Sequence, residues 1–175
     1  MPIWEFAGKK PRIDPSVFVA PNSTIIGDVE IGADSSVFPS AVIRGDYNAV
    51  RIGRRCNVQD SCTIHATPAA PVVLGDNVSI GHNAILHRTT VGNNVIVGMG
   101  SILLDGSKIE DWVIVGAGAL VTINFVIPTK SLALGVPAKV VRQLDEAGLA
   151  QITANADGYY KLSRQYLSQI DKIRH

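Results

Sequence analysis

An apolar residue returns at every sixth position over most of this chain, and that period constrains the fold more than any other feature. The first series of hexad openers is Ile13, Val19, Ile25, Ile31, Val37 and Ile43. After three extra residues come Ile52, Val58 and Ile64, and after four more come Leu74, Ile80 and Leu86. One residue is then missing. The register runs on through Val91, Val97, Leu103, Ile109, Val115, Val121, Ile127 and Ala133, and fails at Lys139. This period is too short for helix packing and too long for simple strand alternation. It fits a parallel β-helix, in which short strands meet at corners, three hexads close a coil, and each opener points inward onto the opener one coil away. Gly, Asn, Asp or Ala often follows the opener, as in Ile31-Gly32-Ala33-Asp34, and such residues suit tight or left-handed corners. Residues 13–142 then make about seven coils, a prism roughly 34 Å long at about 4.8 Å per strand.

A narrow interior of this kind needs small and aliphatic side chains, and only 6% of the 175 residues are aromatic. The net charge of +1 gives no nucleic-acid footprint. No apolar run approaches a membrane span. The start, Met1-Pro2-Ile3-Trp4-Glu5, lacks a basic region leading into an apolar one, so a cytoplasmic location is expected. Gly135-Val136-Pro137-Ala138-Lys139 breaks the coil. Beyond it Leu149, Ile152, Ala156, Tyr159, Tyr160, Leu162, Tyr166, Leu167, Ile170 and Ile173 recur at helical spacing, with Gly158 expected to interrupt them and give one or two helices. The expected division is a β-helix with a short lead-in over 1–142 and a helical segment over 143–175 that packs on it rather than forming a second domain. Cys56 and Cys62 hold the fifth place of successive hexads and read as small, buried, reduced thiols.

Three of the four histidines, His65, His82 and His87, lie inside the repeat, which fixes where they point. Arg44, His65 and His87 are each second in hexads that stack directly, so they form one outward column. Imidazoles on adjacent rungs can share a metal at roughly 2.0–2.1 Å from each nitrogen. His82 is third in the Ile80 hexad, which stacks over Val58 on another face, with Gln59 and Asp60 beneath it. About 16 Å of extended chain and a corner separate His82 from His87. A neighbouring copy can supply the third ligand, and a closed ring satisfies every such site equally, so a three-sided prism points to a trimer.

The hexads holding Arg44-Gly45-Asp46, Asn57-Val58-Gln59-Asp60, His65, Gly81-His82-Asn83 and His87 resemble the gamma-class carbonic anhydrase family, over residues 10–142 and more loosely into the C-terminal helix. The resemblance implies a left-handed β-helix. It also implies a homotrimer with a metal at each interface, held by His65 and His87 of one chain and His82 of the next. Zinc is the usual ion, with ferrous iron or cobalt as further occupants. The implied activity is reversible hydration of carbon dioxide to bicarbonate by a metal-bound hydroxide. Gln59 matches the residue that hydrogen-bonds this hydroxide. Arg44, Asp46 and Asp60 match an interface polar cluster in which Arg44 pairs with Asp60 of the next chain. Tyr159 or its neighbour Tyr160 matches a tyrosine delivered from the helix.

Two departures bear on rate. Well-studied active members of that family carry a glutamate after the Arg-Gly-Asp motif and an acidic loop after the first ligand. Here Tyr47 follows Asp46, and Ala66-Thr67-Pro68-Ala69-Ala70-Pro71 has no acid. Fast proton export is therefore not expected. Three alternatives stand beside hydration: a metal-dependent acyl-coenzyme A thioesterase, a non-catalytic metal-binding assembly protein, and a hexapeptide acyltransferase, which usually needs one catalytic histidine as a base rather than three around a metal.

Overall fold

A computed structural model describes residues 3–173, with side chains described through Gln169; Ile170, Ile173 and His175 therefore lie outside the side chains described. The chain is a left-handed β-helix of about seven turns followed by one α-helix, Glu146–Ile173. Every opener from Val19 to Ala133 is buried, at 8% exposure or less, and these side chains form one continuous cluster. The stacking is the one counted from sequence: Ile25 pairs with Ile43, Ile43 with Ile64, Ile64 with Leu86, Leu86 with Leu103, and Leu103 with Val121. Each buried aliphatic side chain contributes about 1.5–3 kcal/mol of transfer free energy, and it does so against its rung neighbours.

The prism has three faces but, among the described residues, two hydrogen-bonded sheets. Thr24–Ile31 and Val42–Ile52 run through one corner without a break, which joins two faces into a 12-stranded sheet. The third face is an 8-stranded sheet whose last strand, Lys139–Gln143, folds back antiparallel on Ser131–Leu134. That reversal is where Gly135–Lys139 was expected to break the coil, and Lys139 is exposed.

The corners meet two separate demands. Left-handed backbone falls on the fourth residue of the hexad, as at Asp34 (φ 62°), Asn77 (φ 56°), Asn83 (φ 59°) and Asn94 (φ 56°), not on the residue after the opener. Short polar side chains tolerate that conformation best after glycine. The glycine after the opener is needed for close approach instead: a Cβ at Gly32 would sit 2.8 Å from the Gly53 backbone one coil on.

The C-terminal segment is a single helix running through Gly158, contrary to the expected interruption. A mid-helix glycine costs only about 0.5–1 kcal/mol relative to alanine, and packing overrides it. The buried stripe holds Ile152, Ala156 and Ser163, while Leu162 points outward at 37% exposure. Tyr159, Tyr166 and Leu167 pack on Phe18, Ala20 and Phe38 of the 8-stranded face. Arg164 and Arg55 fasten the same helix: Arg164 Nη2 donates to Ser16 O at 2.6 Å, and Arg55 pairs with Asp157. Among the described residues no helix is long and apolar enough to cross a membrane.

Candidate metal centre

Arg44, His65 and His87 form the expected column, in direct register on adjacent rungs. The two imidazole centroids are 5.3 Å apart with a 44° angle between the rings. His82 lies at the corner following Val78–Ile80, on the other sheet. Ile80 stacks on Val58, which places Gln59 and Asp60 under Gly81 and His82 as counted. Among the described residues of one chain, no group of three or more His, Cys, Asp or Glu side chains converges as a ligand set.

Each of the three rings has one nitrogen engaged by a carboxylate. His65 Nε2 donates to Asp46 Oδ1 at 3.1 Å, His82 Nδ1 to Asp60 Oδ2 at 2.8 Å, and His87 Nδ1 to Asp105 Oδ1. A neutral imidazole that donates through one nitrogen presents a lone pair on the other, and metal-bound histidines are almost always held this way. The donor chemistry therefore fits an imidazole-bound divalent ion such as zinc, ferrous iron or cobalt.

The surrounding charges keep this arrangement at neutral pH. His65 is held below its ordinary value of 6.5, first by burial and then by the Arg44 charge, although Asp46 acts the other way. Asp46 stays below 3.8: burial would raise it, but Arg44 Nη1 at 2.6 Å, the Tyr47 N–H and His65 outweigh burial. Asp105 is lowered chiefly by its bond to His87 and then by Arg88, whose Nε donates to Oδ2 at 3.1 Å.

Gln59 is buried and tied into its own chain. Its Oε1 accepts the His82 backbone N–H at 3.2 Å, and its Nε2 donates to Asn57 Oδ1 at 2.9 Å, with Asn57 in turn donating to Ser79. The two tyrosines of the helix point in different directions. Tyr159 Oη lies 3.5 Å from His82 Nε2, whereas the Tyr160 ring packs against the guanidiniums of Arg55 and Arg164, at 4.6 and 5.2 Å from its centroid. Burial, with Asp60 next, raises the Tyr159 phenol, so it stays protonated at neutral pH. Tyr47 is 65% exposed, with its ring 5.8 Å from that of His65. Thr67 and Ala70 bridge to close the acid-free loop after His65.

Sequence reasoning missed Asp105 and Arg88. The signal was present, because Leu86 stacks on Leu103 and so puts Asp105 one coil from Arg88. Also unforeseen is a groove of about 300 Å³ between the helix and the 8-stranded face, beside His82, with Ile96, Ile114, Met99, Asn155 and Tyr159 in its wall.

Fold and site together define a left-handed hexapeptide-repeat protein with a histidine–carboxylate centre. The family model described as "Bacterial transferase hexapeptide (six repeats)" matches residues 88–122. A carbonic anhydrase of Geobacillus kaustophilus is 42% identical, with 97% of each chain covered. Mitochondrial gamma carbonic anhydrase 2 of Arabidopsis thaliana is 39% identical over 94% of this chain, which spans 61% of that relative's length. A crystal structure described as a putative acetyltransferase of Bacillus cereus superposes with a TM-score of 0.94 at 42% identity, covering 95% of this chain and 96% of the other. The chain belongs to the gamma-class carbonic anhydrase family of hexapeptide-repeat proteins.

Proposed function

We propose that this protein is a metal-dependent carbonic anhydrase, hydrating carbon dioxide reversibly to bicarbonate at centres shared between the chains of a homotrimer. The observation that supports this reading is the split histidine set: His65 and His87 on one face, His82 at another corner, each held by a carboxylate. His65 and His87 of one chain and His82 of the next would hold the ion. When bound, zinc, iron or cobalt supplies a Lewis acid that brings the pKa of a coordinated water from about 15.7 to about 7.

The chain's own residues prepare that site. Asp46 and Asp60 fix the tautomers of His65 and His82. Gln59 holds the His82 backbone through Oε1, and the second hydrogen on Nε2 remains for orienting a substrate oxygen. Tyr159 offers a phenol proton beside His82. Arg44 keeps Asp46 ionised, and its remaining guanidinium hydrogens are available to Asp60 of a neighbouring copy. An outward aliphatic column, Ile85, Ile102 and Leu120, continues the histidine face and suits burial against another chain.

A second reading, hydrolysis of an acyl-coenzyme A thioester at the same metal, is favoured by the groove. A volume of about 300 Å³ with largely aliphatic walls exceeds the needs of carbon dioxide. The test is stopped-flow hydration and thioester hydrolysis on metal-reconstituted protein, beside His87→Ala, with mass and metal content measured together. Hydration lost in His87→Ala upholds the proposal. Thioester turnover without hydration replaces it with the second reading.

A further inference from the structure

We propose that Asp105 is the positioning residue for His87, fixing the ring as the Nδ1–H tautomer so that Nε2 alone carries the lone pair. This rests on the metal reading above for its consequence, but the tautomer itself can be observed without any metal.

The geometry comes from the one-residue deletion in the repeat. The hexad opened by Leu86 has five residues rather than six, and Arg88 turns through left-handed backbone at φ 46°. Asp105 lies one rung above on the same corner, because Leu86 stacks on Leu103. Its two oxygens are divided: Oδ1 accepts the His87 Nδ1 proton, and Oδ2 accepts Arg88 Nε–H at 3.1 Å. The guanidinium holds the carboxylate in place and ionised, and the carboxylate holds the ring. All three side chains are partly shielded, at 37% exposure for His87, 29% for Asp105 and 24% for Arg88.

The same construction appears one rung below with the opposite ring nitrogen. Arg44 holds Asp46, and Asp46 accepts from Nε2 of His65. The free nitrogens are therefore Nδ1 on His65 and Nε2 on His87. Two arginine–carboxylate clamps thus assign opposite tautomers to two stacked rings. Without Asp105, His87 would exchange between tautomers, and the fraction with the proton on Nε2 could not bind metal there. Such partners are typically worth about 10–100-fold in metal affinity.

The experiment uses the full chain, with Asp105→Ala and Asp105→Asn beside the wild type. Long-range proton–nitrogen correlation on imidazole-labelled, metal-free protein reads the His87 tautomer, and chelator competition reads zinc affinity. We expect wild-type His87 as the Nδ1–H form, and Asp105→Ala with mixed tautomers and about 10–100-fold weaker zinc binding. Asp105→Asn keeps an acceptor oxygen and the shape, so it should retain the tautomer and much of the affinity; if the alanine variant fails to fold, Asp105→Leu, which keeps the bulk but no acceptor, takes its place with the same expected losses. Unfolding of the metal-free variants separates a general structural loss from the ring effect. An unchanged tautomer and unchanged zinc affinity in Asp105→Ala, or wild-type His87 as the Nε2–H form, overturns the proposal. Wild-type protein that takes up no zinc, iron or cobalt overturns the metal reading instead, while a tautomer change in Asp105→Ala still upholds the role of Asp105.

Discussion

His65 and His87 face one another across a single rung, and each is clamped by a carboxylate that an arginine also holds. His82, tied to Asp60 on the other sheet, makes no part of that pair. If the metal joins these two arrangements between chains, damaged copies should complement each other. A chain carrying only His82→Ala and a chain carrying only His87→Ala should each lose metal alone and recover a fraction of sites when co-assembled. Metal content of purified mixed trimers is the measurement, and no recovery would count against sharing.

Proton export is the next expectation. Tyr47 stands beside His65 at the position where the family resemblance implies an acid, and the Thr67–Ala70 turn carries none. Turnover should stay well below the roughly 10⁶ s⁻¹ of efficient carbonic anhydrases and rise with imidazole-type buffer. Tyr47→Glu should reduce the buffer dependence. Rates flat from low to high buffer in the wild type would show that another relay exists.

Acid should weaken the metal-free protein before its carboxylates titrate. The folded His65 pKa lies below the ordinary 6.5, so the unfolded chain binds more protons as pH falls through that value, and stability drops. Asp46 and Asp105 lie below 3.8, so their contribution persists at higher pH and is lost only on falling through their lowered values. Urea unfolding at about pH 7 and about pH 5 should show the decline, smaller in His65→Gln. Equal slopes in the two proteins would dismiss His65 as its source.

The thiols should be inert. Burial pushes Cys56 up to about 12 and Cys62 up to about 11, and both are free and enclosed by the stacked rungs. Alkylation at mildly alkaline pH should therefore require unfolding. Rapid modification of the folded protein would mean that the rungs open locally.

Much of the prism was legible because its signal is periodic: Ile13 to Ala133 announce the core, and counting hexads places His87 over His65 and His82 over Asp60. What stayed illegible depended on side-chain direction or on weak local preferences. The sequence points to Tyr159 but leaves its neighbour Tyr160 open, and only the helix orientation sends the first to His82 and the second against two guanidiniums. Asp105 is hard to read from sequence because its partner is adjacent across a coil rather than along the chain. Gly158 does not break the helix, since an exposed glycine only weakens a helix that packing holds elsewhere.

That last residue gives a direct test. A Cβ at Gly158 meets nothing within 4 Å, and its backbone is not in the left-handed region. Gly158→Ala should raise unfolding stability by about 0.5–1 kcal/mol. A loss of stability would instead imply that another chain packs on this position.

All three departures from the hexad, after Ile43, Ile64 and Leu86, occur at one corner, beside the column of His65 and His87. The rungs on either side remain in register despite three residues gained, four gained and one lost. This corner is therefore a graft point. Descendants or designers can exchange its loops, adding acids or lengthening a wall, while the imidazoles stay where the ladder puts them. Chemistry at this centre can then diversify almost independently of the sequence rules that make the chain fold.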